Sequence, residues 1–201
     1  MADALAVVAR DVVIGPYRLS AAHSFAELAE VRAFRDQTFR QRSQIVLDDE
    51  LALDRRSVVL GLHQGDALVA CVRIVPLPDA DAGIAQFDHP LLADCAAATE
   101  VGRLAVGAGR SPFVLPTLLG LGSQWMVDHT PYRDYVAFCN AKLVPAYEAV
   151  GARDLGIELG GPGSSRRYRF VTGRFDAAAD RALRLVDAFG RRRDRHPRLT
   201  A

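Results

Sequence analysis

The chain has 201 residues, 50% hydrophobic and 24% charged, which is the composition of a folded domain and excludes global disorder. A formal net charge of +1 leaves no overall field that would draw nucleic acid or an anionic membrane. Three cysteines without metal-type spacing and five scattered histidines supply no ligand set, so no metal is expected.

MADALAVVARDVV at the start has neither a basic opening nor a long apolar run, so neither a signal peptide nor a membrane span is expected and the protein reads as cytoplasmic. VVIGPYRL (12–19) predicts a first strand. SFAELAEVRAFRDQTFRQR (24–42) predicts a helix, because Ser24 and Glu27 have the spacing of a capping box. SVVLGLHQGDALVACVRIVPLP predicts two strands around a Gln64-Gly65-Asp66 turn, with a looser segment, 79–99, after it. TEVGRLAV predicts the next strand, and Phe113 to Val127 an apolar helix with Ser111, ahead of Pro112, as its cap. YVAFC (135–139) reads as a strand, AKLVPAYEAVG (141–151) as a helix ending at a glycine, and LGIEL and RRYRFV as further strands. DAAADRALRLVDAFG (176–190) is the final helix. Alternation of strands and helices in the second half predicts an α/β chain whose mixed sheet has helices on both faces. The expected organisation is one domain over 1–190 and a basic, flexible tail over 191–201, without repeat or linker.

Several charges fall where apolar residues belong. At about 100° per residue, Phe25, Leu28, Arg32, Arg35 and Phe39 share one stripe of the first helix. Arg32 can lay its stem on apolar surface and keep its head in water, whereas Arg35, between Leu28 and Phe39, has less room to escape. A buried guanidinium requires a carboxylate, and Asp54 and Glu100 are the candidates. Arg73 likewise interrupts the apolar run ACVRIVP. Such charges either line a polar pocket drawn from several elements or form a structural ion-pair network. Glu100 and Arg103, three apart in TEVGRLAV, would point to opposite faces of a regular strand. Gly102 between them marks a bulge, which turns both to one side, splays the strand and leaves N–H groups for a ligand. Cys71 and Cys139 lie in apolar runs and read as buried thiols, a nucleophilic cysteine being the alternative.

TEVGRLAV followed by a helix, and then YVAFCNAKLVPAYEAVGA, resemble the Gcn5-related N-acyltransferase (GNAT) superfamily, in which a bulged strand binds the pantetheine arm of the donor. Asn140, Tyr147 and Gly151 match the later motif, with Ala152 where the superfamily has an aromatic. Arg35 and Phe39, Asp54, Arg73, Phe87, and Glu100 with Arg103 narrow the likeness to the acyl-homoserine lactone (autoinducer) synthases and the N-acyl amino acid synthases, over roughly residues 20 to 155. The resemblance implies the GNAT fold: a central mixed, mostly antiparallel sheet, helices on both faces and a bulged, splayed strand near 100–106. Two departures stand out. Ile45 and Leu51 occupy places where the autoinducer synthases carry a tryptophan and an Asp-x-x-Asp on the S-adenosylmethionine side of their site. In GAGRSPFVLPTLLGLG, Pro112 and Phe113 replace the inner glycines of the superfamily's pyrophosphate loop, leaving Gly107, Gly109 and Arg110 for a phosphate.

The resemblance therefore implies an N-acyltransferase moving an acyl group from an acyl-carrier-protein thioester, or acyl-CoA, to the amine of a small amino-acid-like acceptor. The single phosphate of a carrier protein's phosphopantetheine suits the altered loop better than CoA, so an acyl-carrier protein is the expected partner and no cofactor is expected to be tightly bound. Glu100 would be the base and Tyr147 the acid, with Tyr147 as a packing aromatic and Glu100 as an arginine's partner the alternatives. Strand N–H groups near Leu104, Ala105 and Val106 would hold the oxyanion and pantetheine, with Arg110 and Asn140 also on the donor side. Arg35, Phe39, Asp54, Arg73, Phe87 and Arg103 would frame the substrates, Asp54 reading an ammonium and Arg73 a carboxylate, unless Arg73 pairs with Asp54 instead. The helix after the bulged strand and GIAQFDHPLLADC would line a tunnel for a medium or long acyl chain. A non-catalytic relative that binds an acyl ligand or a protein, and an acetyl-CoA-dependent N-acetyltransferase, are the competing readings.

Overall fold

Gly65 takes the left-handed φ of 59° that a tight hairpin requires, and around it the apolar runs on either side pair as β3 (Val58–Gln64) and β4 (Ala67–Pro76). In this computed structural model, which describes residues 11–43, 51–79, 82–87, 90, 95, 97–160 and 167–195, that hairpin supplies two inner strands of an eight-stranded sheet. The other strands are β1 (Val12–Ile14), β2 (Tyr17–Ala21), β5 (Thr99–Val106), β6 (Asp134–Cys139), β7 (Arg153–Gly160) and β8 (Arg167–Arg174). Their order is β1-β2-β3-β4-β5-β6-β8-β7, and every pair is antiparallel except β5 with β6. The single strand expected over 12–19 is two, because Gly15 turns the chain at φ 55°.

Helices cover both faces. On one side lie α1 (Phe25–Ser43) and the short α2 (Leu51–Arg55); on the other, α3 (Val114–His129) and α5 (Phe175–Arg195). The capping box at the head of α1 is present: the Glu27 carboxylate accepts from the Ser24 N–H at 2.8 Å, and Ser24 Oγ accepts from the Glu27 N–H at 3.2 Å. The buried stripe of α1 is Leu28, Val31, Arg35 and Thr38, so the expected stripe is right at Leu28 and Arg35 and wrong at Phe25, which stays 63% exposed under the Arg55 guanidinium. Phe25 is the first residue of the helix and has no turn before it to carry it over the sheet. The helix expected over 141–151 is a 3-10 turn, Ala141–Leu143, leading into α4 (Val144–Ala149), whose early Pro145 has no N–H to continue the turn as one ladder. The last helix runs to Arg195, past Gly190.

Directly opposed residues of an antiparallel pair share a face. Arg73 opposes Gly102 and Val75 opposes Glu100, so these four look toward α1 and α2. Val72, Ile74 and Val101 look the other way, into a core with Leu60, Leu118, Leu121, Trp125 and Phe175. Each fully buried leucine there contributes about 1.5–3 kcal/mol.

Cys71 and Cys139 are both buried, which makes them poor nucleophiles: burial pushes the Cys71 thiol up to about 12 and the Cys139 thiol to about 11, from an ordinary 9.0. Burial also raises the Tyr135 phenol from 10.0 to about 12. A group that holds its proton more tightly folded than unfolded stabilises the protein fully below its unfolded pKa and ceases to as pH rises through the folded one. The urea denaturation midpoint should therefore fall as pH is raised from about 9 toward 12. Cys71→Val should flatten part of that fall, and identical profiles for the two proteins would contradict this assignment.

Candidate active site

The bulge in β5 is where the expectation put it to within a residue. Gly102 opposes Arg73 and Ala105 opposes Cys71, so Arg103 and Leu104 together face the single residue Val72. Arg103 has φ 51°, which makes it the non-glycine residue with positive φ among those described, a conformation that costs an arginine about 1–3 kcal/mol. Gly102 serves a different need. A Cβ there would stand 2.6 Å from Glu100 Oε1, so its bare backbone makes room for the carboxylate.

Beyond Glu100 the strand has one neighbour. Pairing of β5 with β6 consists of Thr99 with Tyr135 and Glu100 with Val136. The Gly107 N–H donates to the Val69 carbonyl at 2.9 Å, on the β4 side. Since N–H groups alternate between the two edges of a regular strand, that of Val106 points toward the opening beside β6. At that opening lies a cleft of about 430 Å³. Thr38 and Phe39 of α1, Leu104, Ala105 and Val106 of β5, the loop residues Gly107 to Pro112 other than Ala108, Leu115 of α3 and Leu143 line it. It unites four residues expected on the donor side (Leu104, Ala105, Val106, Arg110) with Phe39. Thr38, Leu115 and Leu143 carry no motif that marks them in the sequence. Ser111 is not the cap of α3: its Oγ accepts from the Phe113 N–H at 3.3 Å, and α3 begins at Val114.

Glu100 is 1% exposed, and its Oε2 accepts the Ile84 N–H at 2.7 Å. On the same face, Arg35 clasps Asp54 bidentately, at 3.0 and 2.7 Å, and Arg73 donates to the same carboxylate at 3.2 Å. All three side chains are at most 2% exposed. The pairing of Arg73 with Asp54, one of the two sequence readings, is therefore present, and Arg35 joins it. Phe87 ends the 3-10 turn Gly83–Phe87 and packs edge-on to Phe138 and Phe170, at 5.1 and 5.2 Å between ring centroids. Asn140 is exposed and accepts the Lys142 N–H at 3.0 Å, capping the Ala141–Leu143 turn.

Tyr147 lies on the other face of the sheet, against Val72, Ile74, Val101 and Tyr135, around a void of about 20 Å³. Burial, with Cys139 and Tyr135 nearby, lifts its phenol well above the usual range, so it is protonated throughout the neutral range. Ile45 lies outside the described residues, and Leu51 is the first residue of α2. Among the described residues no group of three His, Cys, Asp or Glu side chains is placed to hold a metal, and no helix is long and apolar enough to cross a membrane.

No family model matches the sequence, and no curated protein matches it. The fold, by contrast, has many counterparts among solved structures. FeeM, an N-acyl amino acid synthase from uncultured soil microbes, superposes with a TM-score of 0.64 at 16% identity, over 83% of this chain and 95% of its own. BjaI, a CoA-dependent acyl-homoserine lactone synthase solved with SAM and isopentyl-CoA, gives 0.60 at 16% identity, over 82% and 88%. An acyl-CoA N-acyltransferase from Pseudomonas aeruginosa gives 0.60 at 12% identity, over 78% and 98%. The chain has the fold of the Gcn5-related N-acyltransferases, with the mostly antiparallel sheet and flanking helices expected of it.

Removing the carboxylate from the ion-pair network would leave two guanidiniums buried without it. Asp54→Asn should cost about 3–5 kcal/mol of stability in urea denaturation; a loss below about 1 kcal/mol, the scale of an exposed pair, would show that water reaches the network.

Proposed function

We propose that the protein is an N-acyltransferase that moves an acyl group from a pantetheine thioester to the amine of a small amino-acid-like acceptor. The observation that carries this reading is the buried Glu100 carboxylate at the last residue where β5 pairs with β6, on the strand whose unpaired half floors the cleft. The thioester lies in the gap between the strands, its carbonyl oxygen toward the Val106 N–H. This donor meets the charge that develops on that oxygen, and being held by the strand it costs no reorganisation. The acceptor nitrogen attacks the carbonyl carbon and gives its proton to Glu100. The C–S bond then breaks, and the thiolate takes a proton from Tyr147. A base on one face of the sheet and an acid on the other suit a substrate threaded through the sheet between them.

On the donor side, Arg110 sits in the cleft wall and its single cation suits the one phosphate of phosphopantetheine. We assign an acyl-carrier protein as donor on that basis, with acyl-CoA as the other source of the same arm. Asn140 acts through the turn it caps, which sets Leu143 in the cleft wall. Phe39 and Leu115 supply apolar wall for the arm or the acyl chain. On the acceptor side, Arg73, held by Asp54 beside Arg35, suits an acceptor bearing a carboxylate, which a guanidinium binds bidentately. Asp54 there orients the arginines rather than reading an ammonium, since both of its oxygens accept from them. Arg103, at the strained bulge, and Phe87, packed on Phe138 and Phe170, are the remaining residues we assign to the substrates.

The test is product formation from acyl-carrier-protein and acyl-CoA thioesters with pooled amino acids and S-adenosylmethionine, followed by mass spectrometry. Glu100→Gln should lower the rate by about 10²–10⁴-fold and Tyr147→Phe by less, as expected for loss of a positioned base and of an acid to a good leaving group. Equal silence of wild type and Glu100→Gln, with thioester still bound, would leave a binding protein in place of an enzyme.

A further inference from the structure

Glu100 is clasped by backbone that carries no side chain. Two glycines, far apart in sequence, clear space for the same oxygen: a Cβ on Gly102 would stand 2.6 Å from Glu100 Oε1, and a Cβ on Gly83 would stand 3.1 Å from it. The second of these would also stand 2.8 Å from Phe138 Cζ, so Gly83 is pressed between the carboxylate and the ring. The next residue, Ile84, donates its N–H to Oε2 at 2.7 Å. That donor is not on a loose loop. The Ile84 side chain is 1% exposed in a cluster with Leu53, Val75, Val136 and Phe170, and Phe87 at the far end of the turn packs on Phe138 and Phe170.

We propose that Gly83 and Ile84 are positioning residues for Glu100: the turn they open docks against Phe138 and holds the carboxylate in one orientation, charged and aimed. The inference rests on the reading of Glu100 as the base. A carboxylate taken out of water needs a donor to remain ionised, and the Ile84 N–H favours the charged form against the cost of burial. It also fixes Oε2, which leaves Oε1 over the bare backbone of Gly102 and Gly83. Any Cβ at residue 83 must push the turn off Phe138 or the carboxylate off its donor.

The experiment uses the full chain, the acyl thioester donors above, and Gly83→Ala with and without Phe138→Leu. Gly83→Ala should lower kcat by about 10–100-fold, the scale of a misplaced catalytic group. KM for the donor should stay within about twofold, because the donor cleft is untouched. The ascending limb of the pH–rate profile should move to higher pH, since a carboxylate deprived of one donor holds its proton longer. Phe138→Leu, which removes the ring atom in the way, should recover most of the loss. A fall that follows the melting temperature, with the limb unmoved and no recovery, would overturn the proposal. A readout free of turnover accompanies it: the Ile84 backbone amide in ¹⁵N NMR should titrate with Glu100, and that titration should vanish in Glu100→Gln and in Gly83→Ala. An Ile84 amide indifferent to both changes overturns the clasp even if acyl transfer stands. An amide that tracks Glu100 in a protein that consumes no thioester keeps the clasp and sinks the proposed reaction.

Discussion

A β-strand has two hydrogen-bonding edges, and β5 uses both only at Thr99 and Glu100. From there its pairing with β6 ends, while pairing with β4 continues through a bulge to Val106. A backbone edge left without a neighbour strand carries an obligatory debt of hydrogen bonds. In a strand at the middle of an eight-stranded sheet, that edge cannot simply face bulk water as an outer strand does. A cleft opens instead, with α1, the loop after β5 and Leu143 as its walls. The strain at Arg103 is part of the same device, because the bulge is what parts the two halves of the strand.

The charged side of the sheet follows from this opening. Arg35, Asp54, Arg73 and Glu100 are all nearly excluded from water, two cations and two anions on one face. Replacing such a network by apolar residues of similar volume often leaves stability unchanged or improved, so stability is a weak reason for its presence. Its position beside the parted strands gives a better one under the proposed acyl transfer, in which Glu100 receives a proton from the acceptor amine. Tyr147, across the sheet in apolar surroundings, holds its proton throughout the neutral range, as the acid of that proposal must.

Much of this is legible in the sequence alone. Arg35 and Arg73 stand out because a guanidinium on an apolar stripe needs a carboxylate, and Asp54 and Glu100 are the two acids in unexpected places. Gly102 inside a strand, between Glu100 and Arg103, pointed to the bulge. The capping box of α1 could be read from two residues. Other features could not be read so. Gly83 and Ile84 meet Glu100 only when the fold brings segments sixteen or more positions apart together, and neither residue interrupts a pattern. The left-handed conformation falls on Arg103 rather than on the adjacent glycine, which the pattern of residue types does not foretell. The stripe drawn through Phe25 failed because helical periodicity does not say where the sheet beneath the helix ends. That Tyr147 and Glu100 occupy opposite faces was likewise invisible, since it depends on which side of β5 the α4 helix is returned to.

The central claim, that the thioester is received by the unpaired edge of β5, can be tested by amide hydrogen exchange with and without an acyl-pantetheine analogue that cannot turn over. Val106 should gain protection when the analogue binds, while Ala105 and Gly107, directed at β4, should change little. Binding that leaves Val106 as exchangeable as before would contradict the claim and place the donor elsewhere.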